Sequence, residues 1–293
     1  MTMRTFSMSV LVLVFSLLAV SAYAETAQIG SASIYGAMGY AGVTNTDTST
    51  VVYGYVGGGA GSPSVTGFYS PGITVPANLI LTGTPGNFLD AQTAYNYGSG
   101  LAPTEILTGQ DLGGLTLTPG VYKFAAAAQL TGTLTLDAQG NSNAQWIFVI
   151  GSLLTTASAS SIKVIDAGSS SSLFGGGITW DAYSGATLGT TTTFLGTIIS
   201  DTGGVVLETG ATIGCGRAIS LGASVTLDSN VIDTPPDCMV TTTGSSAHGT
   251  GAPIASAAIV TPEPGTFGLF GAGLGLLLIS SFRRSKLSAL RAA

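Results

Sequence analysis

Short apolar runs rich in β-branched residues alternate with polar turn residues through most of the central chain. Gly, Ser, Asn and Asp separate these runs, which cover residues 115–118, 131–136, 146–150, 193–199 and 205–207. A period of two between turn residues is typical of β-strands. Because residues 107–232 show almost no helical periodicity, the pattern predicts a mainly β chain.

Similar units recur in the later part of this region. Residues 194–200 align with residues 214–220, and the units beginning at Gly185, Gly204 and Gly222 follow at intervals of 19 and 18 residues. A unit this short cannot bury its own apolar face, so it must stack on copies of itself. The spacing predicts one coil of a triangular parallel β-helix, and a sandwich of antiparallel hairpins is the alternative.

One segment, residues 87–97, has a helical pattern instead. Phe88, Ala91, Ala94 and Tyr95 fall on one helical face. We expect Asn87 to cap the first turn and the glycine at position 98 to end the helix. Since so short a helix is marginal alone, it should pack along the solenoid.

The N-terminus has the features of a secretory signal. Arg4 precedes an apolar run, and Ala22 and Ala24 are the small residues that a signal peptidase recognises. Residues 1–24 are therefore predicted to be removed, and the mature chain to work outside the cytoplasm.

The C-terminus carries three parts in a fixed order. Pro262, Glu263 and Pro264 precede an apolar segment, residues 265–282, which is long enough to span a membrane, and a basic tail follows. This order resembles the PEP-CTERM sorting signal of Gram-negative bacteria. The resemblance implies transient anchoring in the inner membrane, processing by an exosortase, and export to the cell surface or the extracellular matrix.

These signals divide the chain into four parts. Residues 1–24 form the signal peptide, residues 25–233 the solenoid, and residues 262–293 the sorting signal with its transmembrane segment. Residues 234–261 are rich in Thr, Ser, Gly, Ala and Pro, a composition that predicts a flexible linker.

Composition excludes several classes of function. Charged residues make up 8% of the chain and the formal net charge is −6, which argues against a nucleic-acid partner and favours a monomer. One His and two Cys are too few for a His or Cys zinc cluster, and no carboxylates pair at a catalytic spacing. We therefore predict no metal, no cofactor and no catalytic residue. In an oxidising compartment Cys215 and Cys238 should form a disulfide, with two free thiols as the alternative.

Several ordered blocks resemble one known family. They begin with Leu-Thr-Gly-Gln-Asp-Leu-Gly-Gly-Leu-Thr-Leu-Thr-Pro-Gly-Val-Tyr-Lys-Phe at residues 107–124 and continue at 130–137, 146–152, 154–158, 185–190 and 210–218. This series is similar to the microbial ice-binding protein family. The resemblance implies a right-handed, discontinuous β-solenoid with one helix alongside, and adsorption to ice with antifreeze and recrystallisation-inhibiting effects. Pro85 and Gly86 depart from the family pattern and imply a shortened helix.

Members of that family often carry Thr-Ala/Gly-X-Thr/Asn on successive coils. Residues 209–212 match this motif fully, and residues 155–158 and 184–187 match it in part. Threonine offers a methyl and a hydroxyl with little rotamer freedom, and coils stack about 4.8 Å apart, close to an oxygen-row repeat in ice. The predicted ice-contacting residues of a flat Thr/Ser-rich face are Thr155, Ser158, Ser184, Thr187, Thr209 and Thr212.

A second function remains open at this point. The same fold could serve a non-enzymatic structural or adhesive protein of the cell surface or the exopolysaccharide matrix. A regular threonine ladder over at least three coils favours ice as the partner, whereas an interrupted or aromatic-studded face favours the matrix protein.

Overall fold

The computed structural model describes residues 29–59, 64–68, 74–75, 80–167, 177–234, 238–240 and 246–248. The predicted signal peptide, most of the predicted linker and the sorting signal, including Pro262, Glu263 and Pro264, lie outside these residues. Within the described part of the chain, no helix is both long enough and apolar enough to cross a membrane.

Parallel strands dominate the chain. A 3-10 helix, Gly30–Ile34, leads into β1 (Tyr35–Gly39), β2 (Gly42–Asn45), β3 (Val51–Tyr53), β4 (Tyr55–Gly58), β5 (Val65–Thr66), β6 (Thr74–Val75) and β7 (Ile80–Thr82). The helix α1 spans Pro85–Ser99. After it come β8 (Glu105–Ile106), β9 (Thr116–Leu117), β10 (Gly120–Phe124), β11 (Ala128–Leu130), β12 (Thr133–Asp137), β13 (Trp146–Ile150), β14 (Leu153–Thr156), β15 (Ser161–Ile165) and β16 (Ile178–Ala182). The later strands are β17 (Gly185–Leu188), β18 (Thr193–Leu195), β19 (Thr197–Ser200), β20 (Val205–Leu207), β21 (Thr212–Gly214), β22 (Ala218–Ser220), β23 (Ser224–Leu227), β24 (Val231–Asp233), β25 (Cys238–Val240) and β26 (Ser246–His248).

Three parallel sheets form the sides of a triangular solenoid. Sheet 1 has the order β7-β4-β1-β22-β19-β16-β13-β10-β8, sheet 2 the order β11-β14-β17-β20-β23-β2-β5, and sheet 3 the order β6-β3-β24-β21-β18-β15-β12-β9. Each coil passes along sheets 1, 2 and 3 in turn, although the coil from β8 to β9 reaches sheet 2 only through a bridge between Asp111 and Gln129. The prediction of a mainly β, parallel solenoid is confirmed, and antiparallel pairing is confined to β25 and β26 among the described strands.

The coils do not stack in chain order. Strands β1, β2 and β3 pair with β22, β23 and β24, so the first coil lies directly against the last one. The chain then passes through α1, which lies along sheet 1, and restarts at β8, at the opposite edge of that sheet. The solenoid is therefore discontinuous, as the family resemblance implied.

The repeat alignment holds on sheet 1 and slips on the other sheets. Ile199 pairs with Ile219 as the alignment predicts, but Phe194 pairs with Ile213 rather than Gly214. The cause is one extra residue in the turn between β21 and β22. On sheet 2, Val205 pairs with Val225, so Gly222 is not the equivalent of Gly204.

The N-terminus of α1 corrects two predictions. Thr84, not Asn87, is the N-cap: its hydroxyl accepts from the Asn87 backbone N–H at 3.3 Å, while the Asn87 side chain accepts from the Thr84 N–H at 2.9 Å. Pro85 and Gly86 occupy the first two helical positions. Proline suits the first position because that N–H has no helical partner, so these residues start the helix instead of shortening it. The helix also continues one residue past Gly98.

The predicted apolar face of α1 is confirmed. It packs with the outer side of sheet 1 in one buried cluster of Ala32, Tyr35, Met38, Phe88, Ala91, Ala94, Tyr95, Ile199 and Ile219. Much of the outer surface of sheet 1 is thereby covered, which leaves the outer faces of sheets 2 and 3 as the extended surfaces for a ligand.

Candidate functional site

Sheet 2 presents one continuous row of outward side chains, which we call the central row. Strand pairing places its members in register, one per coil, in the order Thr155, Thr187, Val206, Thr226, Thr44 and Thr66. Five of the six are threonines, and Thr226, Thr44 and Thr66 occupy three successive coils. At the other end the row continues through Gln129 to Asp111.

Buried neighbours fix the direction of the central row. Each of its residues follows a buried apolar residue in its strand: Leu154, Ala186, Val205, Val225, Val43 and Val65. Because side chains alternate across a strand, these anchors turn every member of the row outward. The stacking distance of about 4.8 Å between coils then sets the spacing of the hydroxyl and methyl groups.

The row beside the threonines contains glycine on several coils. Leu153 pairs with Gly185, and Gly42 pairs with Ser224. A Cβ at Gly42 would lie 2.4 Å from the Ser64 carbonyl oxygen, and one at Gly185 would lie 2.6 Å from the Gly204 carbonyl oxygen; both glycines have φ near +120°. Since only glycine fits at these two positions, their coils have no side chain next to the threonine row. Gly204, directly before Val205, adds a third such coil, whereas the exposed Leu153 places a side chain there.

Carboxylates flank sheet 2 at its edge with sheet 3. The Glu208 carboxylate accepts from the Thr190 backbone N–H at 3.2 Å and from its hydroxyl at 3.3 Å. Asp228 accepts from the Thr209 hydroxyl. These acids are engaged along the edge, and none of the six residues of the central row is charged.

Asp111 closes one end of the row as a turn residue. Its Oδ1 accepts from the backbone N–H groups of Gly113 at 2.7 Å and Thr131 at 2.9 Å. Partial burial opposes ionisation, but these hydrogen bonds outweigh it and lower the pKa of Asp111. The carboxylate thus ties two successive coils together.

The structure separates the six predicted contact residues. Thr155 and Thr187 are neighbours in the central row. Ser184 lies at the edge between sheets 1 and 2, and Ser158 and Thr209 lie at the edge between sheets 2 and 3. Thr212 belongs to β21 of sheet 3, beside Thr193. The predicted set therefore does not form one face.

Sequence reasoning missed Thr44, Thr66 and Thr226. The four-residue motif that guided the prediction crosses a turn, so the threonines at its two ends lie on different surfaces. A better signal was an apolar residue followed by threonine within a short strand, as in Val43-Thr44 and Val65-Thr66.

The outer face of sheet 3 is less uniform. One row contains Thr133, Ser161, Thr193 and Thr212 and then continues with Val231 and Val51. The neighbouring row holds Lys163 opposite Thr135. A positive charge and exposed valine therefore interrupt the small polar residues on this side.

The described residues hold no cluster of three or more potential metal ligands among His, Cys, Asp and Glu.

The buried Arg217 donates from Nε to the Ser33 carbonyl oxygen at 3.0 Å, and burial lowers the pKa of its guanidinium to about 10. It joins the last coil to the segment before β1, which is a structural role.

Cys215 is buried and is not a free thiol. The side chain of Cys238 lies outside the described side chains, so the bond between the two stays a prediction. We expect a digest prepared without reductant to contain one peptide pair linked through Cys215 and Cys238, and reduction to lower the free energy of unfolding by about 2–4 kcal/mol. Alkylation of both cysteines in the folded, unreduced protein would contradict it.

Comparisons with known proteins agree with this architecture. A family model described as ice-binding-like matches residues 37–233, and a PEP-CTERM protein-sorting motif matches residues 260–285. An ice-binding protein of Nostoc sp. (strain HG1) is 44% identical over 211 residues, covering 71% of this chain and 74% of that protein. The ice-binding protein of the Antarctic ascomycete Antarctomyces psychrotrophicus superposes with a TM-score of 0.62 at 34% identity, over 70% of this chain and 96% of that one. One from an Antarctic biological consortium gives 0.60 at 29% identity, over 72% and 91%. With its solenoid, its flanking helix and these relatives, the chain belongs to the ice-binding-like protein family.

Proposed function

We propose that this protein is exported and adsorbs to ice through the outer face of sheet 2. The observation that carries the proposal is the central row, in which threonines stand in register on five of six coils. Membership of the ice-binding-like family supports it, as does the name of the Nostoc relative, an ice-binding protein.

The chemistry of the row suits a crystalline water surface. Each threonine offers a hydroxyl to hydrogen-bond water and a methyl that fits between water molecules. Because β-branching restricts χ1 and the strands are already fixed by the ladder, little conformational entropy is lost on adsorption. Adsorbed molecules would block further growth of the crystal, so the protein acts without catalysis and needs no cofactor.

The three sides of the solenoid are not equivalent for this task. Much of sheet 1 lies under α1, and sheet 3 carries Lys163 and the exposed Val231. Sheet 2 alone combines an uncharged threonine row with glycines beside it. The single valine, Val206, has the shape of threonine with a methyl in place of the hydroxyl, so it removes one hydrogen-bonding group from the row without changing the height of the surface.

Export follows from the two ends of the chain. The match to the PEP-CTERM motif supports delivery to the surface or the surroundings of a Gram-negative cell. In this scheme a signal peptidase removes residues 1–24 and an exosortase processes the chain near Pro264. Ice is the proposed partner of the mature protein, which works as a monomer.

Two tyrosine substitutions test the function and the face together. Purified residues 25–261 should inhibit ice recrystallisation. Thr187→Tyr should reduce the inhibition at least about tenfold, because the ring lifts the central row from the ice and even 1.4 kcal/mol of lost binding has that effect. Thr212→Tyr should leave the inhibition unchanged.

The pair is closely matched. Thr187 and Thr212 are both half-buried, outward-facing strand residues, on sheets 2 and 3 respectively. Circular dichroism of each variant checks the fold. Equal loss in both variants, or loss only in Thr212→Tyr, would refute sheet 2 as the contact face, and an inactive but folded parent would refute ice binding.

A further inference from the structure

The last coil ends at the edge between sheets 3 and 1. Strand β24 is an internal strand of sheet 3, paired on one side with β21 and on the other with β3. Thr234 follows it where the next coil would turn into sheet 1. Its hydroxyl donates to the Tyr53 carbonyl oxygen, and a Cβ at either Gly36 or Gly54 would lie 3.3 Å from its Cγ2. Thr234 is buried, so the exit point of the chain is fixed.

A second residue marks the same edge. Cys215 lies in the turn between β21 of sheet 3 and β22 of sheet 1, and it is not a free thiol. Its predicted bond to Cys238 would hold the first residues after the solenoid against this edge. A force that pulls on the C-terminal segment would then act on the solenoid through Cys215, and it would not separate β24 from its neighbours in sheet 3.

The position of this edge relative to sheet 2 follows from the topology. Each coil passes through sheets 1, 2 and 3 in turn, so the edge where sheet 3 meets sheet 1 lies opposite the side formed by sheet 2. The packed core separates them, with Val225 and Ile232 of the last coil both buried in it. The attachment point and the central row therefore lie on opposite sides of the molecule.

We infer that the protein is built to work while held by its C-terminal segment, with sheet 2 facing away from the support and free to contact ice. This inference rests on the proposed function and adds the direction in which the surface is presented. A molecule tethered to a cell, or to a matrix around it, would link that support to an ice crystal.

Bead immobilisation tests the orientation. Residues 25–261 are coupled to beads through one azide handle, placed either after residue 261 or at Leu153, which is exposed on the outer face of sheet 2. Ice is grown slowly through suspensions with equal protein density. Beads coupled at the C-terminus should adhere to the ice at least about tenfold more often than beads coupled at position 153, the ratio expected for 1.4 kcal/mol of binding. C-terminally coupled Thr187→Tyr serves as the inactive control.

A measurement without ice checks the geometry itself. A ketone-bearing residue at position 187, which does not react with the bead chemistry, should react with a bulky hydrazide-labelled protein as fast on C-terminally coupled chains as in solution, and much slower labelling on the beads would overturn the inference. Equal ice adhesion by both kinds of bead would also overturn it. If the free protein inhibits recrystallisation but the C-terminally coupled beads do not adhere, only the orientation fails. If the folded free protein has no effect on ice, the proposed function fails as well.

Discussion

Replacing Asp181 with asparagine should make the protein more stable than the parent at pH 8, with a difference that disappears near pH 4. Asp181 lies on the outer side of β16, under the C-terminal part of α1, and its side chain is 1% exposed. Neither carboxylate oxygen has a hydrogen-bond partner. A buried carboxylate without partners is costly, so burial favours the neutral acid form of Asp181 in the folded protein.

The close approach of the helix explains the burial. A Cβ at Gly98 would lie 1.9 Å from Asp181 Oδ2 and 3.3 Å from Ile147 Cγ2, so the helix backbone packs directly against both side chains. Tyr95 of α1, Tyr183 and Asp201, which follows β19, are the titratable groups nearby, and burial first and then the Asp201 carboxylate raise the pKa of Tyr95 to about 12. No cation faces Asp181 from these elements, so burial raises its pKa well above the ordinary value.

The sign of the pH effect follows from proton binding. An aspartate in the unfolded chain titrates near pH 4, whereas Asp181 in the folded protein keeps its proton to a higher pH. Between the two pKa values the folded state binds more protons, so the free energy of unfolding falls as pH rises, by about 1.4 kcal/mol per pH unit for this group. Below about pH 4 this contribution is fully present.

Urea denaturation of the parent and of Asp181→Asn from pH 4 to pH 9 measures this difference. Asp166→Asn, which removes an exposed carboxylate on the other side of the solenoid, is the matched control and should show no such widening gap. A constant difference between the parent and Asp181→Asn across this range would show that Asp181 ionises in the folded protein as readily as in the unfolded chain.

Local patterns predicted the parts of this fold that depend on neighbours in sequence. The strand at 146–150 and the strand at 205–207 are confirmed with the predicted bounds, and the buried face of α1 is confirmed residue by residue. Period-two alternation and helical periodicity record which side chains within a short segment are buried, so a single sequence is enough to predict these strands and the buried face of the helix.

Long-range pairing was beyond the reach of such patterns. Nothing near Ala37 shows that it pairs with Ala218, although this contact joins the first coil to the last one. The contribution of Thr44 and Thr66 to the central row depends on that join. Without the pairing of the first and last coils, Thr44 and Thr66 appear as isolated threonines in the N-terminal segment, and the central row ends at Thr226.

Asp181 illustrates the same limit for chemistry. Its strand, Ile178–Ala182, predicts an outward position for the side chain, which on an open sheet would be solvated. Only the docking of α1 buries it. Turn positions were similarly ambiguous, since Thr209 and Thr212 are three residues apart and lie on different sides of a corner.

Replacing Trp180 with alanine should lower the free energy of unfolding by about 3–5 kcal/mol, the usual cost of removing a buried tryptophan. Its ring is fully buried and stacks on Phe148 at 3.8 Å with an interplanar angle of 5°, and the Phe194 ring lies 4.9 Å away. The indole Nε1 also donates to the Leu195 carbonyl oxygen at 3.0 Å. Alanine would leave a cavity between the coil of Trp180 and the coil of Phe148, and it would remove the hydrogen bond to the Leu195 carbonyl oxygen.

We expect Trp180→Ala to lower the stability of the protein without changing its contact with ice. Trp180 points into the core from sheet 1, whereas the central row points outward from sheet 2, so Trp180→Ala should inhibit recrystallisation like the parent at temperatures where it stays folded. Trp180→Phe keeps the stacking and should lose less stability. Urea denaturation followed by circular dichroism measures the first effect. A stability loss below about 1 kcal/mol would contradict this account of the core. Lost ice activity in the folded variant would show that the aromatic stack, and not only the strand anchors, sets the geometry of sheet 2.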